Sequence, residues 1–230
     1  RIVTDRLSDI LFCPTEAAVG NLIREGFEED RAHLVGDVMY DACIRFTKIA
    51  EKRSTIIEDL GLKPGLFVLA TVHRAENTDD EKVLNAIIRS LEDLSKRIRV
   101  VLPLHPRTKS KLRDVRGSSI DFIEPVGYLD MISLERDSKL IITDSGGVQK
   151  EAFFHRTPCV TIRSETEWVA LIDLGWNQLI DPKETDLLGE RLLLAERNSS
   201  PGKEESNLYG GGNASDIIRD KIIQWAGSFG

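Results

Sequence analysis

The segment best suited to chemistry is Thr143–Ala152, TDSGGVQKEA, which follows an apolar run and opens a helical pattern. Gly146 and Gly147 have no side chains, so a phosphate can approach their backbone amides closely. The helix that follows directs its unpaired N–H groups and the positive end of its dipole at the same place. Ser145 adds a hydroxyl donor, and Glu151 is placed to accept hydrogen bonds from ribose hydroxyls. The segment also fits a plain strand–turn–helix corner with a serine N-cap, so both interpretations stay open.

Three further polar clusters each follow an apolar run. They contain His73, Arg74 and Glu76 in TVHRAEN, His105 and Arg107 in PLHPR, and Glu167 and Trp168 in IRSETEW. Imidazole and guanidinium groups at the end of a strand suit phosphate oxygens. The acidic third cluster suits a sugar with many hydroxyls. Each cluster alone is also compatible with a solvated loop, and the prolines of PLHPR fit a simple turn.

Eight short apolar runs predict the strands that position these clusters. They are Ile10–Cys13, Ala32–Val35, Phe67–Val72, Arg99–Leu104, Ile120–Ile123, Leu140–Thr143, Cys159–Ile162 and Gln178–Ile180. The runs are continuously apolar, as expected for parallel strands that are covered on both faces. Because helical patterns alternate with them, the sequence predicts an α/β fold with a Rossmann-like doubly wound parallel sheet. Ligands of such sheets bind beyond the carboxyl ends of the strands, where the four clusters lie.

The helical patterns have recognisable ends. Apolar residues at three- and four-residue steps predict a helix from Glu81 to about Arg97, with Thr78 and Glu81 spaced as a capping box. An earlier helix, from Glu16 to Glu25, is expected to end at Gly26. A polar-rich helix is predicted between Met39 and Lys63.

These elements predict four segments. Residues 1–40 supply too few strands for a core of their own and are interpreted as the end of a preceding Rossmann-like domain. Residues 41–65 form a linker helix, residues 66–213 a complete nucleotide-binding domain, and residues 214–230 a terminal helix. Since the chain begins at Arg1 without methionine, we expect it to be part of a longer protein.

Composition narrows the classes of function. The 230-residue chain has a net charge of −7, which argues against a nucleic-acid partner or an anionic membrane surface. It has no signal-peptide pattern and no apolar stretch of membrane-spanning length. Its three widely spaced cysteines predict reduced core thiols in a cytoplasmic protein rather than disulfides or a zinc site. G-x-G-x-x-G, the dinucleotide-binding fingerprint, does not occur.

Eight motifs in order resemble the C-terminal part of the non-hydrolysing UDP-N-acetylglucosamine 2-epimerases, which have the two-domain GT-B architecture. The motifs, which extend over nearly the whole chain, are LFCPTE, VGDVMYDA, TVHRAEN, LPLHPR, TDSGGVQKEA, RSETEW, GWNQL and YGGGNAS. The resemblance implies one half of a GT-B fold together with a remnant of its N-terminal domain.

The resemblance also implies roles for individual residues. It implies His73 as a catalytic residue near the diphosphate and the reacting sugar, with Arg74, Glu76 and His105 as binding residues. It places the phosphates at Ser145, Gly146 and Gly147, and the ribose at Glu151. The uracil is placed at the Pro125–Met131 loop, with Val126 and Met131 as contacts. The sugar is placed near Glu167 and Trp168. No metal or other cofactor is implied.

The implied reaction interconverts UDP-GlcNAc and UDP-ManNAc. UDP is eliminated across C1–C2 to give 2-acetamidoglucal and is then added back with C2 protonated on the other face. The family's main catalytic carboxylates belong to the N-terminal domain, ahead of Arg1, so we expect residues 1–230 alone to be inactive.

Some departures from the family pattern keep alternatives open. Many members have Gln at Val126, Phe near Met131 and Arg at Trp168, and the last change occurs in branches that handle other UDP-linked N-acetyl sugars. The alternatives are therefore an epimerase of a related UDP-N-acetyl sugar, a GT-B glycosyltransferase, or a non-catalytic UDP-sugar binding module. Family members are commonly homodimers. The apolar side of the terminal helix, with Ile222 and Trp225, is a further basis for expecting self-association.

Overall fold

The computed structural model describes residues 1–112, 117–203 and 207–227. The chain divides into two compact units, Arg1–Arg45 with Glu204–Gly230, and Phe46–Lys203. All four clusters that the sequence singles out belong to the second unit. The boundaries predicted at residues 40, 65 and 213 stay predictions.

All eight predicted strands are present, with ends that differ from the prediction by at most one residue. They are β1 (Leu11–Cys13), β2 (Ala32–Leu34), β3 (Phe67–Thr71), β4 (Arg99–Pro103), β5 (Asp121–Ile123), β6 (Leu140–Thr143), β7 (Cys159–Thr161) and β8 (Asn177–Leu179). β1 and β2 form a two-stranded parallel sheet in the first unit. The second unit has a six-stranded parallel sheet in the order β5-β4-β3-β6-β7-β8. Numbered within this sheet, the order is 3-2-1-4-5-6, so the predicted Rossmann-like, doubly wound sheet is confirmed.

The described helices alternate with the strands. They are α1 (Ile2–Leu7), α2 (Glu16–Arg24), α3 (Val38–Arg53), α4 (Ile56–Asp59), α5 (Ala75–Thr78), α6 (Glu81–Ser95), α7 (Pro106–Lys111), α8 (Tyr128–Asp137), α9 (Gly146–Phe154), α10 (Val169–Asp173), α11 (Leu188–Arg197) and α12 (Ala214–Gly227). The predicted helix end at Gly26 is confirmed, since α2 stops at Arg24 and Gly26 has a φ of +84°.

Two helix predictions were wrong in detail. The single helix expected within Met39–Lys63 is two helices, since α3 ends at Arg53 and α4 begins at Ile56. Between them, the hydroxyl of Ser54 donates to the carboxylate of Asp130 at 2.7 Å. The predicted Thr78 cap of α6 is replaced by Asp80, whose carboxylate accepts from the amides of Lys82 and Val83 at 2.9 and 3.3 Å. Thr78 instead closes the short helix α5.

The second unit buries apolar side chains on both faces of its sheet, as the continuously apolar strands predict. The five residues of β3 are all buried, and alternate ones contribute to two different apolar clusters. On one face the apolar stripe of α6 packs against the sheet, with Ile87, Leu91 and Leu94 fully enclosed. Burial of each such side chain stabilises the fold by roughly 2 kcal/mol. The sheet is therefore a rigid platform for the loops at its carboxyl edge.

In the first unit, the VGD and YGGGNAS motifs meet. Gly36 and Gly210 have φ angles of +87° and +82°, and a Cβ on Gly210 would lie 2.9 Å from the Cα of Gly36, so both positions require glycine. Asp41 accepts hydrogen bonds from the amides of Ala214 and Ser215 at 3.1 and 2.7 Å, which caps α12. These motifs, in the part of the chain that the structure describes, have a structural role.

Candidate functional site

The sequence-selected clusters lie at the carboxyl edge of the six-stranded sheet, where the strand order reverses. β3 and β6 are adjacent there, and the chain leaves them in opposite directions, towards β4 and towards β7. The last residues of the two strands, Thr71 and Thr143, are buried and joined through their hydroxyls at 2.6 Å. Such a reversal point is where ligands bind in open parallel sheets.

Asp144, which directly follows β6, organises the loop that carries His73. Its fully buried carboxylate accepts hydrogen bonds from the amides of His73 and Arg74, both at 2.9 Å, and from the side chain of Asn77 at 3.1 Å. The Nδ1 atom of His73 lies 3.2 Å from the same carboxylate. Because Asp144 precedes Ser145, the histidine loop and the glycine segment are held in one fixed arrangement.

The two predicted histidines come together above this edge. The ring centroids of His73 and His105 are 5.4 Å apart and the rings are tilted by 34°. His105 is the N-cap of α7, since its Nδ1 accepts from the amide of Arg107 at 3.2 Å. Arg74 lies on the same loop, 3.8 Å from the exposed carboxylate of Glu76. The two imidazoles therefore lie side by side, and Arg74 directly follows His73 on the same loop.

Ser145, Gly146 and Gly147 form the start of α9 and are partly exposed. The Ser145 hydroxyl accepts weakly from the amide of Val148 (3.5 Å), and its own amide donates to the Thr143 hydroxyl at 2.9 Å. The first amides of an α-helix have no acceptor within the helix. The corner predicted from the sequence is therefore present, and the same residues begin a helix whose first amides have no acceptor within the helix.

The acidic loop after β7 is fastened to the start of α9. The indole N–H of Trp168 donates to the carbonyl of Gly146 at 2.8 Å, and the Thr166 hydroxyl donates to the side chain of Gln149 at 2.6 Å. Arg163 holds Glu167 through two hydrogen bonds of 2.8 and 3.1 Å. These hydrogen bonds lower the pKa of Glu167, which keeps it ionised. Glu167 is thus a fixed carboxylate beside the helix end.

Glu151 lies one turn further along α9. Its carboxylate accepts from the hydroxyl of Tyr128 at 3.0 Å, which connects α9 to the Val126–Met131 region. Burial raises the pKa of Glu151, while the hydroxyl of Tyr128 opposes that shift. Val126 and Met131 are half-buried and pack against the apolar cluster on this face of the sheet.

Behind Glu151 lies a buried carboxyl group, that of Glu135 on α8. Neither of its oxygens has a hydrogen-bond partner among the described residues, and Nε2 of His155 lies 3.8 Å from its Oε2. Burial, and then the charge of Glu151, raise the pKa of Glu135 well above its ordinary value. Burial likewise lowers the pKa of His155 to about 4. His155 is therefore neutral near pH 7, and burial favours the protonated form of Glu135.

Sequence reasoning found the loops of this site but missed several of their supporting residues. Asp144, Tyr128 and Arg163 lie within or beside the selected motifs, but no chemical role was predicted for them. An aspartate between a buried strand and a glycine turn is a usable signal, because a buried carboxylate there requires backbone donors. Nothing in the sequence indicates that Arg163 pairs with Glu167 rather than pointing into solvent.

Other features of the described residues do not add to this site. A groove of about 880 Å³ runs between α6 and α11, and it contains none of the predicted site residues. Within residues 1–112, 117–203 and 207–227, no group of three or more His, Cys, Asp or Glu side chains is arranged to hold a metal ion. None of the helices described there is long and apolar enough to cross a membrane.

Comparisons of this sequence with known proteins find relatives that are epimerases of UDP-linked sugars. The family model described as UDP-N-acetylglucosamine 2-epimerase matches residues 1–223. The UDP-2,3-diacetamido-2,3-dideoxy-D-glucuronate 2-epimerase of Pseudomonas aeruginosa is 45% identical, over 97% of this chain and 62% of its own length. The UDP-N-acetylglucosamine 2-epimerase of Methanococcus maripaludis is 37% identical, over 95% and 62%.

A solved structure shows the same fold. The UDP-GlcNAc 2-epimerase of Methanocaldococcus jannaschii, crystallised with UDP-GlcNAc and UDP, superposes with a TM-score of 0.79 at 34% identity, covering 98% of this chain and 63% of that structure. The chain therefore spans a little over three fifths of the length of these relatives. Because the family model covers nearly all of its residues, the chain belongs to the UDP-N-acetylglucosamine 2-epimerase family.

Proposed function

We propose that this chain is the nucleotide-binding portion of an epimerase that interconverts UDP-GlcNAc and UDP-ManNAc. The observation that carries the proposal is the start of α9, which lies at the reversal point of the sheet and directly follows the aspartate that anchors the His73 loop. The M. jannaschii relative was crystallised with UDP-GlcNAc and UDP, the ligands proposed here.

The diphosphate is proposed to bind the amides of Gly146 and Gly147 and the hydroxyl of Ser145. α9 has nine residues, so its first turn presents aligned N–H groups and a partial positive charge to an anion. This local source of charge suits a protein whose net charge is −7. The indole N–H of Trp168 donates to the carbonyl of Gly146, which ties the first turn of α9 to the loop after β7.

The nucleoside is proposed to lie along the α8 side of α9. Glu151 accepts hydrogen bonds from the ribose hydroxyls, and the Tyr128 hydroxyl fixes its carboxylate. The uracil then occupies the loop that contains Val126 and Met131. Both side chains are apolar and half-buried, so they contribute surface to the base rather than hydrogen bonds.

His73 and Arg74 are proposed to act at the sugar–diphosphate junction. In the elimination, a base removes the C2 proton, the C1–O bond breaks, and UDP leaves with the bonding electrons. In the return step UDP oxygen re-forms the bond to C1 while C2 takes a proton on the opposite face. Donors that stabilise departing diphosphate and a positioned acid–base group accelerate both steps. The Asp144 carboxylate holds the His73 loop still for this task.

A second candidate substrate is UDP-2,3-diacetamido-2,3-dideoxy-D-glucuronate. It is favoured by the P. aeruginosa relative, which is named for that substrate and is more similar to this chain than the M. maripaludis enzyme is. The Nζ atom of Lys150 lies 4.6 Å from the centroid of the Trp168 ring, which places a cation beside the proposed sugar site. A cation there suits a sugar that carries a carboxylate.

Nucleotide binding is the test that this chain allows. Calorimetry with UDP should show binding by the wild type and a loss of at least tenfold in affinity for Gly146→Val, because the new side chain obstructs the anion. Among the described residues, a Cβ at Gly146 would meet Trp168 Nε1 at 3.6 Å and Glu167 Oε2 at 3.8 Å, both ordinary contacts, so the fold should tolerate a Cβ at this position. Absence of UDP binding by a folded wild type would overturn the proposal.

The type of reaction is tested with the full-length protein in D₂O. An epimerase that works by elimination introduces solvent deuterium at C2 of UDP-GlcNAc, and offering the diacetamido uronate in parallel separates the two substrates. A glycosyltransferase or a binding module would leave C2 unlabelled.

A further inference from the structure

Arg163 is a buried cation with an incomplete set of partners. Its side chain is only 5% exposed, and the two terminal nitrogens of its guanidinium bind the two oxygens of Glu167. Its Nε atom is enclosed and has no hydrogen-bond partner among the described residues. Burying a guanidinium is costly unless its partner is well placed. The pairing with Glu167 is therefore a built arrangement rather than an incidental surface contact.

The other side of this pair faces outward. Glu167 is 55% exposed, and its Oε2 would lie 3.8 Å from a Cβ built on Gly146. An ionised carboxylate has only acceptors, so it repels phosphate oxygens and binds groups that donate hydrogen bonds. In a UDP-N-acetyl sugar, the donors next to the diphosphate are the hydroxyls and the acetamido N–H of the sugar. The carboxylate thus suits the sugar and not the nucleotide.

We propose that Arg163 is a positioning residue that fixes the carboxylate of Glu167 to accept a hydrogen bond from a hydroxyl or amide N–H of the sugar. The proposal rests on the proposed function, since it assumes that the diphosphate binds at the start of α9. It assigns Arg163 no contact with the ligand. The guanidinium acts by holding the carboxylate in one orientation and by neutralising it beside an anionic diphosphate.

The test compares affinities for UDP and UDP-GlcNAc by calorimetry on the full chain, because their ratio isolates the contribution of the sugar. Arg163→Lys keeps the charge but loses the two-pronged geometry, and Glu167→Gln loses the charge of the acceptor. Each variant should reduce the ratio roughly tenfold while the affinity for UDP stays within about twofold of wild type. The double variant should lose no more than either single variant, because Arg163 acts through Glu167.

Glu165→Gln is the matched control, since it makes the same substitution at an exposed position of the same loop and should leave the ratio unchanged. Losses that add in the double variant, or that affect UDP as much as UDP-GlcNAc, would show a merely structural role and overturn the inference. An unchanged ratio in both single variants would overturn it as well. If the wild type binds no UDP, both the proposed function and this inference fail. If UDP binds but the sugar adds no affinity, only the inference fails.

Discussion

Replacing Glu135 by glutamine is expected to stabilise this protein at neutral and alkaline pH. The Glu135 side chain is fully buried, with no hydrogen-bond partner for either oxygen among the described residues and with Glu151 raising its pKa further. The folded state therefore binds the carboxyl proton more tightly than the unfolded state does. The stabilising effect of that proton is complete below the ordinary glutamate pKa and is lost as pH rises towards the raised value.

The size of the effect follows from proton linkage. Each pH unit between the unfolded and the folded pKa of Glu135 removes about 1.4 kcal/mol from the free energy of unfolding. Glutamine has the same shape and no proton to lose, so Glu135→Gln should gain about 1.4 kcal/mol on the wild type per pH unit across that interval. Its advantage stops growing once the pH passes the folded pKa.

His155 contributes a slope of the opposite sign. Because burial lowers the pKa of His155 to about 4, its stabilising effect is complete above the unfolded histidine pKa and is lost as pH falls through the lower value. Over the acidic range where both groups titrate, the two slopes oppose each other in the wild type. Glu135→Gln removes one of them, so the variant should gain stability as pH rises to about 6.5 and then level off.

Urea unfolding of both proteins from about pH 5 to pH 8 measures this difference. Glu58→Gln, at an exposed position of α4, is the control and should run parallel to the wild type. If Glu135 and His155 instead form an ionised pair, Glu135→Gln leaves a buried imidazolium without its partner, and the variant is less stable than the wild type at neutral pH. That result, or a difference that does not grow with pH, would refute the reasoning.

Two further predictions concern backbone packing and capping. Gly202→Ala should lower the free energy of unfolding by about 2 kcal/mol, because the new Cβ would lie 2.6 Å from the carbonyl oxygen of Leu174. At Gly20 in α2, a new Cβ would meet no described atom within 4 Å apart from its chain neighbours and the backbone of its own helix. Gly20→Ala should therefore raise the free energy of unfolding by up to about 1 kcal/mol, and equal effects of the two variants in urea unfolding would contradict the packing argument. Asp41→Ala removes the cap of α12 and should destabilise that helix by about 1 kcal/mol. Hydrogen exchange should then become faster at the first amides of α12, including that of Ser215. Unchanged exchange at these amides would show that the cap is dispensable.

The sequence alone determined the architecture of the larger unit. Runs such as Phe67–Val72, apolar except for Thr71, indicate strands buried on both faces, because a sheet covered on both sides favours apolar residues along the whole strand. The same pattern places TVHRAEN and TDSGGVQKEA at strand ends. Family membership follows from the order of the motifs, and the match over residues 1–223 confirms it.

The tertiary structure alone decided which groups support the site. The sequence places Asp144 and His73 71 positions apart, and only the adjacency of β3 and β6 brings that carboxylate to the histidine loop. The same holds for Glu135 beside His155 and for Tyr128 on Glu151. Local sequence patterns indicate which face of its helix or strand a residue occupies, because that face depends only on the periodicity of the same element. Partnership between side chains depends on which elements become neighbours when the sheet forms, and single-sequence patterns carry no information about that.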